Sequence, residues 1–148
     1  MPLINGRIHH SRAIVDAMIG IPNVRRRLLT KHSFPIPSPV PVRLLVDTGA
    51  TLSGFHPSVF RQLDLTPYEK SAIWTPSTTP ESPDYFDHYI VSLSLVADGR
   101  PWPFPDISVF ESECWTETEA LGGVLGMDIL QQCRLEVHGP DQTFRLLF

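Results

Sequence analysis

Cysteine, clustered positive charge and long apolar runs are all scarce in this chain, and each shortage excludes a class of protein. The two cysteines, Cys114 and Cys133, have neither CxxC nor metal-ligand spacing. They allow one disulfide but no disulfide framework, and nothing else points to an oxidising compartment. Basic residues cluster only at Arg25-Arg26-Arg27, and the net charge is −4. Neither nucleic acid nor an anionic membrane is therefore an expected partner. The arginine triplet reads as a solvated loop or strand end. No apolar run approaches the ~20 residues of a membrane span, and no N-terminal stretch joins a basic start, an apolar segment and a small-residue cleavage site. The expectation is a cytoplasmic protein. Apart from His9-His10, whose side chains on a strand would face opposite ways, the six histidines are scattered. No metal and no other cofactor is expected.

Proline, by contrast, is plentiful: 15 in 148 residues, about twice the usual frequency. That argues against long helices and for short strands joined by loops. With 42% hydrophobic and 19% charged residues, the chain is ordinary for one globular domain, residues 1–148, large enough to bury a real core.

Period-two alternation recurs. Ala13, Val15, Ala17 and Ile19 share one strand face; Val42, Leu44 and Val46 another; Tyr89, Val91, Leu93 and Leu95 a third. Leu135 and Val137 alternate with polar residues, and Gly139-Pro140-Asp141-Gln142 then reads as a turn into a last strand, Thr143 to Phe148. Two short helices are expected. One lies in "HPSVFRQLDL", with Pro57 in the first turn and Val59, Phe60 and Leu63 on one face. The other is "MDILQQC", with Asp128 placed to accept free backbone N–H groups at its start. "FPIPSPVP", Phe34 to Pro41, reads as a proline-spaced connector. Asp84, Asp87 and His88 read as a polar loop cluster, and Trp102 and Trp115 as core or loop anchors.

One stretch carries chemistry. In "VRLLVDTGATLSGF", Val42 to Phe55, an apolar strand runs into Asp47-Thr48-Gly49. Sugar-kinase and actin-like ATPases use a similar turn to cradle phosphate, but that fold needs two domains and further loops that 148 residues do not supply. Phosphoaspartate enzymes of the haloacid dehalogenase type need a second Asp two residues on, where this chain has Gly49. Hydrolysis of a peptide by paired carboxylates fits. One carboxylate takes a proton from water while the other, protonated, donates to the scissile carbonyl. Each Asp must sit on a tight turn whose N–H groups reach the carboxylate, and Gly49 permits that approach. Ser53 and Thr51, just downstream, could hydrogen-bond the loop.

"LLVDTGAT", followed some eighty residues later by "GGVLGMDIL", resembles the retropepsin-like aspartic proteases, the family of retroviral proteases and their bacterial relatives. The resemblance covers roughly residues 13 to 148. It implies a mainly β acid-protease barrel with one or two short helices. Asp47 would be catalytic, and Thr48, Gly49 and Ala50 would build its loop. Val124, Leu125 and Gly126, followed by Asp128, would form a second motif crossing beside that loop in a ψ-shaped core. The family places a flap between the two motifs. Here that segment is "IWTPSTTPESPDYF", with Trp74, Thr75, Pro76, Ser77 and Thr78 as candidate substrate contacts; it is rich in proline and threonine where retroviral flaps are rich in glycine. A plain polar loop anchored by Trp74 reads equally from these residues.

The motif occurs once, with no internal repeat, and Asp16, Asp98 and Asp128 lack a following Thr/Ser-Gly. A second catalytic Asp47 must then come from another copy, in a two-fold homodimer. The C-terminal strand "TFRLLF" could serve that contact or simply end a core hairpin. The expected activity is that of an aspartic endopeptidase on peptide or protein substrates. A non-catalytic dimerisation or peptide-binding module of the same fold is the alternative.

Overall fold

The computed structural model describes residues 1–74, 78–113 and 121–148. Among the described residues, eleven strands and three helices follow one another. They are β1 (Leu3–Arg7), β2 (Ile14–Gly20), α1 (Asn23–Lys31), β3 (Val40–Val46), β4 (Gly54–Phe55), α2 (Pro57–Gln62) and β5 (Glu69–Ile73). After these come β6 (Asp84–Ala97), β7 (Arg100–Pro103), β8 (Ile107–Glu111), β9 (Gly123–Leu125), α3 (Met127–Leu130), β10 (Arg134–His138) and β11 (Thr143–Leu147).

Six strands close a barrel. Their order is β2-β3-β9-β4-β8-β6, and β6 pairs back onto β2, so the ring leaves no edge to attract another chain. β6, with 14 residues, makes the closure possible by changing partners along its length. It pairs with β5 at Asp84–His88, with β8 at His88–Val91, with β2 at Ser92–Leu95 and with β7 at Ser94–Ala97. Tyr89, Val91, Leu93, Leu95 and Ala97 point inward at the strand period of two. The first four meet Val15, Ala17 and Ile19 of β2 and Val42 and Leu44 of β3 in one core. α2 covers one flank through Val59 and Phe60, and the Phe60 ring stacks on Tyr89 with centroids 3.9 Å apart.

A second, three-stranded antiparallel sheet has the order β1-β11-β10. Phe144 and Leu146 of β11 are fully buried and join the same core. Gly6 lies opposite Phe144 in register, and a Cβ there would fall on the phenyl ring. The C-terminal strand thus ends a core hairpin, flanked on both sides by its own chain.

The expected strands and both short helices are present, with several differences. The strand seen from Tyr89 begins at Asp84, so Asp84, Asp87 and His88 lie on a strand and not in a loop. The connector from Phe34 gives way to β3 at Val40, so the last two residues of its expected range, Val40 and Pro41, lie on the strand. His9 and His10 occupy a tight turn closed by a His9–Arg12 bridge, not a strand. Trp102 lies on β7 and is 40% exposed, so it is no core anchor; Trp115 falls outside the described residues.

The largest correction is α1: Arg25, Arg26 and Arg27 belong to a nine-residue helix, not to a loop or strand end. No helix among the described residues is long and apolar enough to cross a membrane.

Candidate active site

β3 buries Val40, Val42 and Leu44 and delivers the chain to Asp47 at the barrel's rim. There the backbone turns: Ala50 N–H donates to the Asp47 carbonyl at 3.2 Å, and Asp47 N–H donates to Leu125 O at 3.0 Å. Gly49 N–H donates to Asp47 Oδ1 at 2.9 Å, a charge-assisted bond that aims the carboxylate. A Cβ at Gly49 would sit 3.2 Å from that oxygen, which is why glycine serves here. Asp47 is half-buried while Thr48 and Gly49 are exposed, so the carboxylate lies on an open turn.

The two sequence motifs are brought together. β9 lies between the two arms of the Asp47 loop, parallel to β3 with Val46 opposite Leu125 and antiparallel to β4 with Gly54 opposite Val124. This is the ψ-shaped crossing. Glycine is required twice in it. A Cβ at Gly123 would land on the Gly54 carbonyl oxygen, and one at Gly126 would lie 2.6–2.9 Å from backbone atoms of Leu52 and Ala50.

Beyond β9 the chain is laced to the far side of the loop. Met127 N–H donates to Ala50 O at 2.7 Å and Asp128 N–H to Thr51 O at 3.1 Å. Ser53, fully buried, joins the two halves. Its hydroxyl donates to Asp128 Oδ1 at 2.7 Å and accepts from Gly126 N–H at 2.9 Å, while its own N–H donates to Asp128 Oδ2 at 2.9 Å. Asp128 also accepts the N–H of Ile129 at 2.9 Å, the helix-start role expected of it. Both its oxygens are thereby engaged in holding the loop. The clasp through Ser53 had only a weak signal in sequence, since a serine after a turn has many plain uses.

The segment between the motifs is a hairpin of β5 and β6. Trp74, at the end of β5, is 60% exposed, and its indole N–H donates to Pro80 O at 3.2 Å. Thr78 lies in the segment that connects the two strands, next to a Thr79–Ser82 bridge. Thr75, Pro76 and Ser77 lie outside the described residues. At the hairpin's base His88 is buried, with Nε2 2.6 Å from Ser71 Oγ, and Lys70 approaches Asp87 at 3.7 Å. A cleft of about 590 Å³ opens beside it, lined by Lys70, Asp84, Asp87, Glu111 and Glu113 among others; Asp47 is not part of it. The Tyr89 hydroxyl donates to Glu111 Oε2 at 3.2 Å. Burial, then the charge and hydrogen bond of Glu111, push its pKa up to about 12. Among the described residues no group of His, Cys, Asp or Glu could hold a metal ion.

No protein-family model and no curated protein sequence matches the chain. Solved structures do. A retropepsin-like aspartic protease from Rickettsia conorii superposes with a TM-score of 0.61 at 13% identity, covering 99% of this chain and 90% of the other. The EIAV protease in complex with the inhibitor HBY-793 matches at 0.40 and 16% identity, over 83% and 88% of the two chains. The retroviral protease-like domain of Ddi1 from Leishmania major matches at 0.43 and 13%, over 86% and 83%. With a barrel closed by six strands, a ψ crossing at Asp47 and the Rickettsia structure superposing over nearly the whole chain, this protein has the retropepsin-like fold.

Proposed function

We propose that the chain is an aspartic endopeptidase that works as a homodimer, with Asp47 from each copy flanking one water. The observation that carries this reading is the Asp47 turn, in which Gly49 N–H aims the carboxylate at 2.9 Å and β9 clamps the loop from behind. One Asp47 takes the water's proton as its oxygen attacks the scissile carbonyl carbon. The other, protonated, donates to the carbonyl oxygen, and a proton then passes to the departing amine as the C–N bond breaks.

A single copy supplies one such carboxylate. Asp128, the nearest acidic residue in the lacing, is bonded to Ser53 and Ile129 through its oxygens and serves to hold the loop. The β5–β6 hairpin is the flap of this reading, and Trp74 to Thr78 would meet the substrate main chain as an added strand does. Replacing Asp47 by Asn in the purified dimer should abolish peptide cleavage, read with an unfolded protein substrate; surviving activity would sink the mechanism.

A second reading, a non-catalytic dimerisation or peptide-binding module, is favoured by the hairpin. Its tip is short of glycine, and Trp74 is tied to Pro80 within the hairpin itself. A mimic of the tetrahedral intermediate separates the two: it should raise the Tm of a working protease dimer and leave a bare module unchanged.

A further inference from the structure

The net charge of −4 conceals a segregation. Residues 17–46 hold five cations, Arg25, Arg26, Arg27, Lys31 and Arg43, and no Asp or Glu. The rest of the chain sets seven cations against 16 carboxylates. Four of the five cations lie on α1, which makes this helix the basic pole of an acidic molecule.

α1 is fastened to the body of the protein by one side. Asn23 is held by Asp106, and Leu29 packs partly against the core. The Arg25 guanidinium donates to Asp64 O at 2.6 Å and lies 3.6 Å from the Asp64 carboxylate. At about 100° per residue the other side gathers Val24, Arg27, Leu28 and Lys31. That is the i, i+3, i+4, i+7 spacing of an amphipathic helix, yet here the stripe faces water. Val24 is 67% exposed, Leu28 is 53% exposed, and no residue of the helix is buried. Arg27 and Lys31 have no ion-pair partner among the described residues. Two more exposed apolar side chains, Phe34 and Ile36, follow directly after the helix.

Cations and apolar side chains on one exposed stripe suit a surface that is anionic and also takes up apolar groups. The interface of an anionic bilayer has both properties and accepts a helix lying in its plane. Nucleic-acid phosphates would answer the cations but leave Val24, Leu28, Phe34 and Ile36 in water. A second copy docked face to face through α1 would set like charge against like, with no carboxylate on the helix to relieve it.

We propose that α1, through Val24, Arg27, Leu28 and Lys31, seats the protein reversibly on an anionic lipid surface, with Phe34 and Ile36 entering the headgroup layer beside it. Attachment of this kind lies on the bilayer and does not span it. It is independent of the chemistry at Asp47.

The test is co-sedimentation of the full chain with vesicles. The wild type should pellet with vesicles of phosphatidylserine and phosphatidylcholine, stay in solution with phosphatidylcholine alone, and be released by salt. Arg27→Gln with Lys31→Gln should weaken binding at least about tenfold. Arg61→Gln with Arg100→Gln, which removes the same charge from α2 and β7, should leave it nearly unchanged. Val24→Gln with Leu28→Gln keeps every charge and should also weaken binding at least about tenfold. All these positions are exposed or face solvent on helices and a surface strand, and an unchanged Tm shows that each variant folds. A wild type that ignores phosphatidylserine vesicles overturns the proposal, and its retention on polyglutamate beads instead would assign the face to an acidic protein. Equal losses from the two arginine and lysine pairs, or full binding without Val24 and Leu28, also overturn it.

Discussion

Ser53 shows how much a buried hydroxyl can hold. With Ser53→Ala the Gly126 N–H loses its acceptor and Asp128 Oδ1 loses one of its donors, both in a water-poor setting. The expected cost is about 1–3 kcal/mol, read as a lower midpoint in urea with an unchanged slope. Tyr89 makes a different demand. Its pKa is raised to about 12 from an ordinary value of 10.0, so between those two values the unfolded chain ionises first and binds fewer protons than the native one. Stability should therefore fall as pH rises through that window, and Tyr89→Phe should flatten the fall, measured as Tm against pH. Asp47, Gly49 and Asp128 were legible in sequence because their chemistry and spacing are unusual. Ser53 was legible only as a residue near a turn, since nothing in the local pattern shows that it reaches a partner 75 positions away.

Helix α1 explains why sequence reading fails where an element depends on distant groups. Its apolar residues do not mark a core face: Val24 is 67% exposed, Leu28 is 53% exposed, and Leu29 alone packs partly against the core. Pro22 at the N-cap supplies no side-chain acceptor, and the first turn holds no acidic residue. The cap comes from Asp106, 83 residues away, whose carboxylate accepts Asn23 N–H at 2.7 Å and Asn23 Nδ2 at 2.9 Å. At the other end Ser33 adopts a left-handed φ of 55° and Phe34 N–H reaches back to Leu29 O, a Schellman-type stop. Asp106→Ala should cost about 0.5–2 kcal/mol and fray the first turn. Faster amide exchange at residues 23–26, with the barrel's protection unchanged, would register it. The strands were legible for the opposite reason. A barrel strand buries one face at a period of two wherever its partners lie, so β2, β3 and β6 showed themselves without knowledge of their pairing. The order of pairing, with β9 parallel to β3 and antiparallel to β4, has no such local signal.

At the scale of the whole molecule, the fold closes its barrel within one chain but provides the Asp-Thr-Gly turn once. A peptidase built on it needs a second carboxylate, and the choice between a shared site and an independent one has a quantitative signature. If each site takes one Asp47 from each copy, a single Asp47→Asn chain disables the dimer that contains it. Wild type mixed with an equal amount of Asp47→Asn, allowed to exchange subunits, then forms active pairs only when two wild-type chains meet. Activity per total protein should fall to about a quarter of that of the unmixed enzyme. Independent sites would give about a half under the same conditions, because each wild-type chain would keep its own activity. The decline with Asp47→Asn fraction should accordingly be quadratic and not linear. A linear decline in a sample shown to exchange subunits would place the chemistry within one chain, against everything the Asp128 contacts imply. Those contacts leave Asp128 fastened to Ser53 and Ile129, so an independent site would have to find its second acid elsewhere than in the ψ crossing that positions the first.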